Sequence, residues 1–315
     1  MYDDFKTLIE NNKKIIIFRH LIGDGDALGS QWALYYYLKD KYPDKEIYAV
    51  GDDTVGYQSI FEKPHQISDE KFTDALAIVV DTANTARISD QRYKLCKTIV
   101  KIDHHLEVHA YGDLEIVDSD VTSSAQIVAN ILKEFEDNEP LKEIVAKNLY
   151  TGITSDTQSF SIPGVDVKTF ETAAYLSKSN IDTGKIFRRL NAIELNVYKY
   201  KNYLANQIVF DESGLAYVKS LNKDLKKYNI THSQAKRNAG LMKNIKGIDI
   251  WVLFIEQEDN SNIFNASLRS NEIVINDVAQ EFGGGGHNYA SGVKSLNPER
   301  LEQLINKLKM KLEDW

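Results

Sequence analysis

One short segment, residues 98–105, most constrains how this chain can fold. Four of the six residues from 98 to 103 are β-branched, which indicates a buried strand, and the strand stops at Asp103-His104-His105. In open α/β sheets, ligands bind at the carboxyl ends of the strands. The segment therefore predicts a strand that delivers a carboxylate and two imidazoles to a site at the edge of a sheet.

Two other apolar runs end in the same way. Residues 15–18 lead into His20 and then into Gly23-Asp24-Gly25-Asp26, and residues 77–80 stop at Asp81. Three strands that each end in carboxylate or imidazole are difficult to explain by core packing alone. The pattern predicts that these side chains meet at one edge of a parallel sheet.

The first two thirds of the chain alternate between strand and helix patterns. Such alternation predicts an α/β fold, a doubly wound and mainly parallel sheet. The predicted strands are 15–18, 46–50, 75–81 and 98–103. The predicted helices are 3–12, 27–38, 84–95, 123–135, 141–154, 167–177, 183–190 and 194–208.

A second, smaller α/β domain is predicted after the last of these helices. Its strands are 215–220, 248–256 and 262–269, and its helices are 233–245, 274–282 and 298–312. We therefore expect a first domain with the candidate site over 1–190, a linker helix over 191–208 and a second domain over 209–315.

Composition and charge restrict the partners. The net charge of −8 falls entirely within residues 1–210, which hold 24 Lys+Arg against 32 Asp+Glu. An acidic site repels phosphate unless cations are bound there, and no basic stripe is available for long nucleic acid. No apolar run approaches the ~20 residues of a membrane span, and the single Cys96 excludes an internal disulfide. We expect a cytoplasmic protein with no membrane partner.

Two more elements complete the chemistry. Asp156 ends an apolar helix pattern, and four glycines, 283–286, precede His287. Each element alone has an ordinary explanation: Gly23–Asp26 as a turn, Asp81 and Asp156 as helix caps, the glycines as a flexible link. Together, carboxylates and imidazoles suit Mn²⁺ or a similar ion, and the lack of cysteine ligands argues against structural zinc.

The ordered set resembles a known family. H-x-x-x-D-x-D from His20, D-T-A-N from Asp81, D-H-H from Asp103, a later helix-borne Asp and a C-terminal G-G-G-H are the pattern of DHH phosphoesterases with a DHH-associated C-terminal domain. The resemblance covers about residues 13–312. The length and the short linker are most similar to the nanoRNase and pAp phosphatase subfamily.

The resemblance implies a role for each motif residue. One Mn²⁺ would be held by His20, Asp24 and Asp81, and Asp81 would bridge to a second ion. Asp103 would orient a ligand and His105 would face the scissile phosphate, which makes these two the candidate catalytic residues. The second ion would be held by Asp26, Asp81, His104 and Asp156. Substrate would be bound, in part by a nest of glycine backbone amides, through Arg269, Ser270, Gly284, Gly285, Gly286 and His287.

Two positions depart from the family pattern. The family often has proline where this chain has Gly23, and usually has glycine where this chain has Gln158. Neither change removes an expected ligand, so the departures bear on substrate preference.

The implied reaction is hydrolysis by a water that two metal ions activate, with Mg²⁺ or Co²⁺ as substitutes for Mn²⁺. The substrates would be short oligoribonucleotides, linear dinucleotides such as pApA from c-di-AMP breakdown, or pAp, which would yield AMP. An inorganic pyrophosphatase or polyphosphatase and a catalytically silent nucleotide-binding sensor are the alternatives. The sequence leaves open the physiological substrate, the cleavage polarity, the native metal and whether the chain forms a homodimer.

Overall fold

The computed structural model describes residues 1–54, 56–105 and 110–315. It divides the chain into two compact units, Met1–Ala192 and Ile193–Trp315. The predicted linker helix is α7 (Leu195–Ala205), which belongs to the second unit and ends three residues earlier than expected.

The first unit combines strands and helices close to the predicted ones. The strands are β1 (Lys14–Phe18), β2 (Glu46–Ala49), β3 (Leu76–Val80), β4 (Thr98–Asp103) and β5 (Leu114–Val117). The helices are α1 (Tyr2–Asn11), α2 (Gly25–Lys41), α3 (Ser124–Phe135), α4 (Glu143–Asp156), α5 (Val167–Ser177) and α6 (Thr183–Leu190). β5 was not predicted from the sequence.

The five strands form a parallel sheet in the order β2-β1-β3-β4-β5, which confirms the predicted fold class. Both faces of the sheet are buried. Ile15 and Ile17 pack into one hydrophobic cluster, and Ile16 and Phe18 pack into another. A strand buried on both faces reads as a continuous apolar run, which is why period-two alternation is missing from the sequence.

The prediction of one helix in this unit was wrong. Residues 84–95 form two short 3₁₀ turns, Thr85–Arg87 and Gln91–Leu95, instead of an α-helix. Ile88 lies between them with an extended backbone, is buried, and makes an isolated antiparallel bridge with His20. The tertiary contact at Ile88 interrupts the helix that local pattern favours.

The second unit contains a mixed six-stranded sheet in the order β10-β11-β9-β8-β7-β6. Only β7 and β8 are parallel among its described pairs. The strands are β6 (Val209–Phe210), β7 (Leu215–Ser220), β8 (Ile250–Glu256), β9 (Phe264–Ser270), β10 (Gly285–His287) and β11 (Ala290–Leu296). Its other helices are α8 (Asn222–Tyr228), α9 (His232–Lys236), α10 (Asn276–Glu281) and α11 (Pro298–Glu313).

Several features of this unit differ from the sequence predictions, which did not include β6, α8 or β11. The helix expected over 233–245 is the short α9 followed by a 3₁₀ turn, Arg237–Gly240, where the Ala239 carbonyl accepts the indole N–H of Trp251 at 2.7 Å. Part of the glycine run forms β10, which is paired with β11. None of the helices in the described part of the chain combines the length and apolarity needed to cross a bilayer.

Candidate metal centre

The candidate ligands of the first unit lie at the carboxyl edge of its sheet, as predicted. The chain runs from β1 outward to β2 and then returns to place β3 on the other side of β1. Such a reversal is the usual position of a ligand site in a parallel sheet. His20 follows β1, Asp81 follows β3, and Asp103 is the last residue of β4.

Asp81 lies between two groups of donor atoms. Its Oδ2 is 3.4 Å from Nε2 of His20, and Asp24 Oδ2 is 3.5 Å from the same nitrogen. Its Oδ1 is 3.5 Å from Nε2 of His104. Asp81 also has a left-handed backbone, with φ of 51°, which aspartate tolerates better than most residues. The side chain is therefore placed to serve both groups.

The second group contains Asp26, His104 and Asp156. His104 Nε2 is 3.5 Å from Asp156 Oδ2 and 4.0 Å from Asp26 Oδ2. In each group, one donor atom per residue lies within 4.8 Å of the others. The structure thus brings together all six residues that the sequence nominated as metal ligands.

The donor set fits divalent ions. Most of these separations are longer than an N–H···O hydrogen bond. Because bonds of about 2.1 Å to an ion place neighbouring ligands about 3 Å or more apart, the spacing suits atoms that surround an ion. Oxygen and imidazole are ligands that Mn²⁺, Mg²⁺ and related ions accept.

The electrostatics of the centre favour the same interpretation. Burial, and then the charges of Asp81 and other nearby carboxylates, raise the pKa of Asp156 to about 7 and that of Asp26 well above its usual value. Burial lowers the pKa of His20, but the contacts with Asp24 and Asp81 outweigh it and raise that pKa to about 10. When carboxylates are crowded enough to raise their pKa values, a bound cation relieves the repulsion between their negative charges.

The N-terminus of α3 supports this centre, and sequence analysis did not anticipate the contact. The backbone amides of Ser124 and Ala125 donate to the two carboxylate oxygens of Asp26 at 2.7 and 2.8 Å. The Ser124 hydroxyl donates to Asp81 Oδ1 at 3.0 Å. The start of the helix predicted over 123–135 was the one available signal, since Ser123 is the N-cap of α3 and places free helix amides here.

The two candidate catalytic residues contact each other. Asp103 is fully buried, and its Oδ1 is 2.8 Å from Nδ1 of His105. This contact raises the pKa of His105 and outweighs burial, which lowers it. It also fixes the ring so that Nε2 is left for another partner. Lys101, also fully buried, lies with Nζ 3.8 Å from Asp103 Oδ2. Asp103 therefore orients His105, whereas His104 has a backbone partner at Val121.

Gln158 stands where the family usually has glycine, and its backbone explains that preference. Gln158, Ser159 and Phe160 have φ values of 47°, 62° and 63°, all in the left-handed region. Glycine adopts this conformation without steric cost, whereas other residues do not. The tight turn after Asp156 is kept here in spite of the substitution.

The second unit contains a cavity of about 770 Å³ with a cationic lining. Arg269, Gly284 and Gly285 line it together with His232, Lys236 and Lys294, and no aspartate or glutamate is among the described residues that do so. Arg269 is partly buried and donates to the carbonyls of Leu268 and Ser291 at 2.7 and 3.4 Å. Burial lowers its pKa. The cavity suits an anionic ligand.

The other predicted substrate residues are placed differently. Ser270 is buried and its hydroxyl donates to the Ile273 carbonyl at 2.5 Å. Gly286 and His287 are in β10 and are not among the described lining residues.

The expected nest of free amides is not formed at Gly284. Its N–H donates to the Ala279 carbonyl at 2.8 Å, and the Gly283 N–H donates to Gln280 at 2.9 Å, because both amides close the end of α10. A Cβ at Gly284 would lie 2.1 Å from the Gly292 carbonyl. This glycine therefore serves close packing between backbones.

Comparison with known proteins agrees with these features. The family model described as "DHH family, N-terminal domain" matches residues 14–153, and the "DHHA1 domain" model matches residues 214–314. A Streptococcus mutans protein named "Probable bifunctional oligoribonuclease and PAP phosphatase NrnA" is 34% identical, over 97% of this chain and 98% of its own. The Bacillus subtilis protein named "Bifunctional oligoribonuclease and PAP phosphatase NrnA" is 34% identical over 92% of each chain.

A solved structure shares the fold over nearly the whole chain. The crystal structure of an exopolyphosphatase-related protein from Bacteroides fragilis matches with a TM-score of 0.85, at 22% identity, over 99% of this chain and 97% of its own. The chain belongs to the DHH family and carries a C-terminal DHHA1 domain.

Proposed function

We propose that this DHH-family phosphoesterase hydrolyses short oligoribonucleotides, linear dinucleotides such as pApA, and pAp, with Mn²⁺ as the preferred ion and Mg²⁺ or Co²⁺ as substitutes. The observation that carries the proposal is the paired donor set around Asp81, combined with full-length similarity to NrnA-type relatives. The relatives are named as oligoribonucleases and PAP phosphatases, which supports the substrate class. A cytoplasmic location is part of the proposal.

Each group of donors has a distinct task in this proposal. His20 and Asp24 would bind one ion, Asp26, His104 and Asp156 the other, and Asp81 both. Bound ions would supply Lewis-acid stabilisation of the phosphate and activation of water. The Asp103 carboxylate holds His105 by Nδ1, so that Nε2 would donate to a phosphate oxygen and stabilise its developing charge.

The cavity in the second unit supports the choice of small anionic substrates. Arg269, Lys236 and Lys294 line it, and none of them makes an ion pair with a carboxylate among the described residues. Its volume is in the range of sites for small ligands. We propose that these cations bind substrate phosphate, which is also the reason to prefer nucleotides over a pyrophosphatase role.

Substrate length is the test of this function. We expect RNA of about two to five nucleotides, pApA and pAp to be hydrolysed with Mn²⁺, and we expect kcat/KM to fall steeply for longer RNA, because the acidic chain has no basic track. EDTA should abolish the activity and Mn²⁺ should restore it. The measurement is kcat/KM across this panel at one moderate salt concentration.

Three results would contradict the proposal. Equal kcat/KM for a 20-nucleotide RNA and a trinucleotide would indicate a processive nuclease. Turnover of pyrophosphate or polyphosphate alone would favour the second reaction class. Nucleotide binding without any turnover in Mn²⁺ would favour a sensor.

Metal binding should depend on pH in a defined direction. The folded-state pKa of Asp156 is about 7 against 3.8 ordinarily, and that of His20 is about 10 against 6.5, so protons stabilise the metal-free fold. This contribution is present at low pH and is lost as pH rises, from 3.8 to 7 for Asp156 and from 6.5 to 10 for His20. A bound ion must displace those protons.

We therefore expect a fixed Mn²⁺ concentration to raise Tm more at pH 8 than at pH 6. Proton competition at Asp156 alone corresponds to about tenfold weaker binding at pH 6 than at pH 8. Thermal melts with Mn²⁺ or EDTA at both pH values measure this difference. An equal rise in Tm at the two pH values would show that Mn²⁺ binds away from these groups.

A further inference from the structure

The turn between β1 and α2 contains a backbone conformation that is unfavourable for its residue. Ile22 has φ of 57°, in the left-handed region, and its side chain is 71% exposed. A β-branched residue is rarely found there, and such a conformation persists only where the surrounding contacts enforce it. This turn carries His20 and Asp24, so whatever holds it also sets the position of two proposed metal ligands.

A buried guanidinium holds the turn. Arg19 is fully buried, and its Nη1 donates to the His20 carbonyl at 3.0 Å and to Asp52 Oδ1 at 2.6 Å. Its Nη2 donates to the Asp52 carbonyl at 2.5 Å. The second carboxylate oxygen, Asp52 Oδ2, accepts the backbone N–H of Ile22 at 2.7 Å. Asp52 therefore connects the guanidinium directly to the strained residue.

The glycine at position 23 belongs to the same arrangement. A Cβ at Gly23 would lie 2.7 Å from Nη1 of Arg19 and 2.9 Å from its Cδ. Gly23 is not among the residues with positive φ, so it is needed for space and not for an unusual conformation. The departure from the proline of the family pattern is thus explained by the closeness of the Arg19 side chain.

The opposite side of the turn is fixed independently. The Leu21 amide donates to the Arg87 carbonyl at 2.7 Å, and Nδ1 of His20 lies 2.9 Å from the Leu21 carbonyl. These contacts direct Nε2 of His20 towards Asp24 and Asp81. Without Asp52, the turn would keep these contacts and the one from Arg19 to the His20 carbonyl, but the Ile22 amide would lose its acceptor.

We propose that Arg19 and Asp52 form a clamp that positions His20 and Asp24 for metal binding, with Asp52 as a positioning residue that does not itself contact the ion. The proposal rests on the metal-binding role given to His20 and Asp24 above. Groups that orient metal ligands typically change metal affinity by 10- to 100-fold when they are removed.

The test measures Mn²⁺ binding in the absence of substrate, by electron paramagnetic resonance titration of free Mn²⁺. Asp52→Ala is expected to bind Mn²⁺ about 10- to 100-fold more weakly than the wild-type chain. Asp52→Asn should show a smaller loss than Asp52→Ala, because its amide keeps one of the two acceptor oxygens that the guanidinium and the Ile22 amide use. Saturating Mn²⁺ should restore most of kcat, since the clamp acts on ligand position.

The matched control is Asp53→Asn. Asp53 is the next residue, is exposed, and makes no side-chain hydrogen bond or ion pair with the described residues, so the substitution removes the same charge without touching the clamp. Its Mn²⁺ affinity should equal that of the wild-type chain. If folded Asp52→Asn and Asp52→Ala, checked by circular dichroism, bind Mn²⁺ as tightly as Asp53→Asn, the clamp proposal is wrong.

A further variant separates this proposal from the proposed function. His20→Ala should weaken Mn²⁺ binding if His20 is a ligand. If it does, and the Asp52 variants do not, the clamp alone fails. If His20→Ala leaves Mn²⁺ binding unchanged, the proposed metal centre fails and the clamp proposal fails with it.

Discussion

Replacing Asp81 by asparagine is expected to lower kcat by at least about 10³-fold while leaving the fold intact. The carboxylate faces both donor groups, through Oδ2 to His20 and Oδ1 to His104, so its loss would weaken both ion positions. Metal ions contribute several kcal/mol of transition-state stabilisation, and each 1.36 kcal/mol is a factor of ten in rate. The measurement is single-turnover hydrolysis of a trinucleotide in Mn²⁺.

Asparagine is the appropriate substitution because the site is structurally demanding. It tolerates the left-handed backbone of position 81, and it keeps an oxygen that can accept the Ser124 hydroxyl. Asp120→Asn, at an exposed carboxylate after β5, is the control and should retain full activity. Retention of most activity by folded Asp81→Asn would contradict the paired metal assignment.

Replacing Arg269 by alanine is expected to raise KM for pAp and for a trinucleotide by about 10- to 100-fold. A hydrogen bond to a charged group contributes about 1.5–3 kcal/mol, and this guanidinium is partly buried in a cavity without described carboxylates. Arg269→Lys should lose less, because it keeps the charge and gives up only the forked geometry. Steady-state kinetics on both substrates measure the effect.

Two comparisons make this result specific. Arg237→Ala removes an exposed arginine of the same unit that does not line the cavity, and it should leave KM unchanged. A small chromogenic phosphodiester, which has no second phosphate, should be hydrolysed almost as well by Arg269→Ala as by the wild-type chain. An equal loss on all three substrates would instead assign Arg269 to catalysis or to the fold.

The sequence was most informative where local pattern and chemistry coincide. Apolar runs that end at His20, Asp81 and Asp103 predicted parallel strands that bring these side chains to one edge, and the structure has this arrangement. Parallel strands buried on both faces need continuous apolar residues, so both the strands and their ends are visible in the sequence.

The sequence pattern was least informative where backbone contacts between distant segments determine the local structure. Taken alone, a run of four glycines is more often a flexible link than a binding loop, yet part of this run pairs with β11 as a strand. The helix expected over 84–95 was interrupted by the bridge between Ile88 and His20. Local propensity is a weak predictor of such pairings, because tertiary contacts override it.

By itself, the sequence determined the fold class, the family and the set of residues that meet at the carboxyl edge of the first sheet. Only the tertiary structure decided how that set is held. Asp26 is bound by amides of α3 that lie 98 and 99 residues later, and the turn after β1 is held by Asp52 through Arg19. These hydrogen bonds join segments that no periodicity relates, so they exist only once the core has packed and brought the segments together.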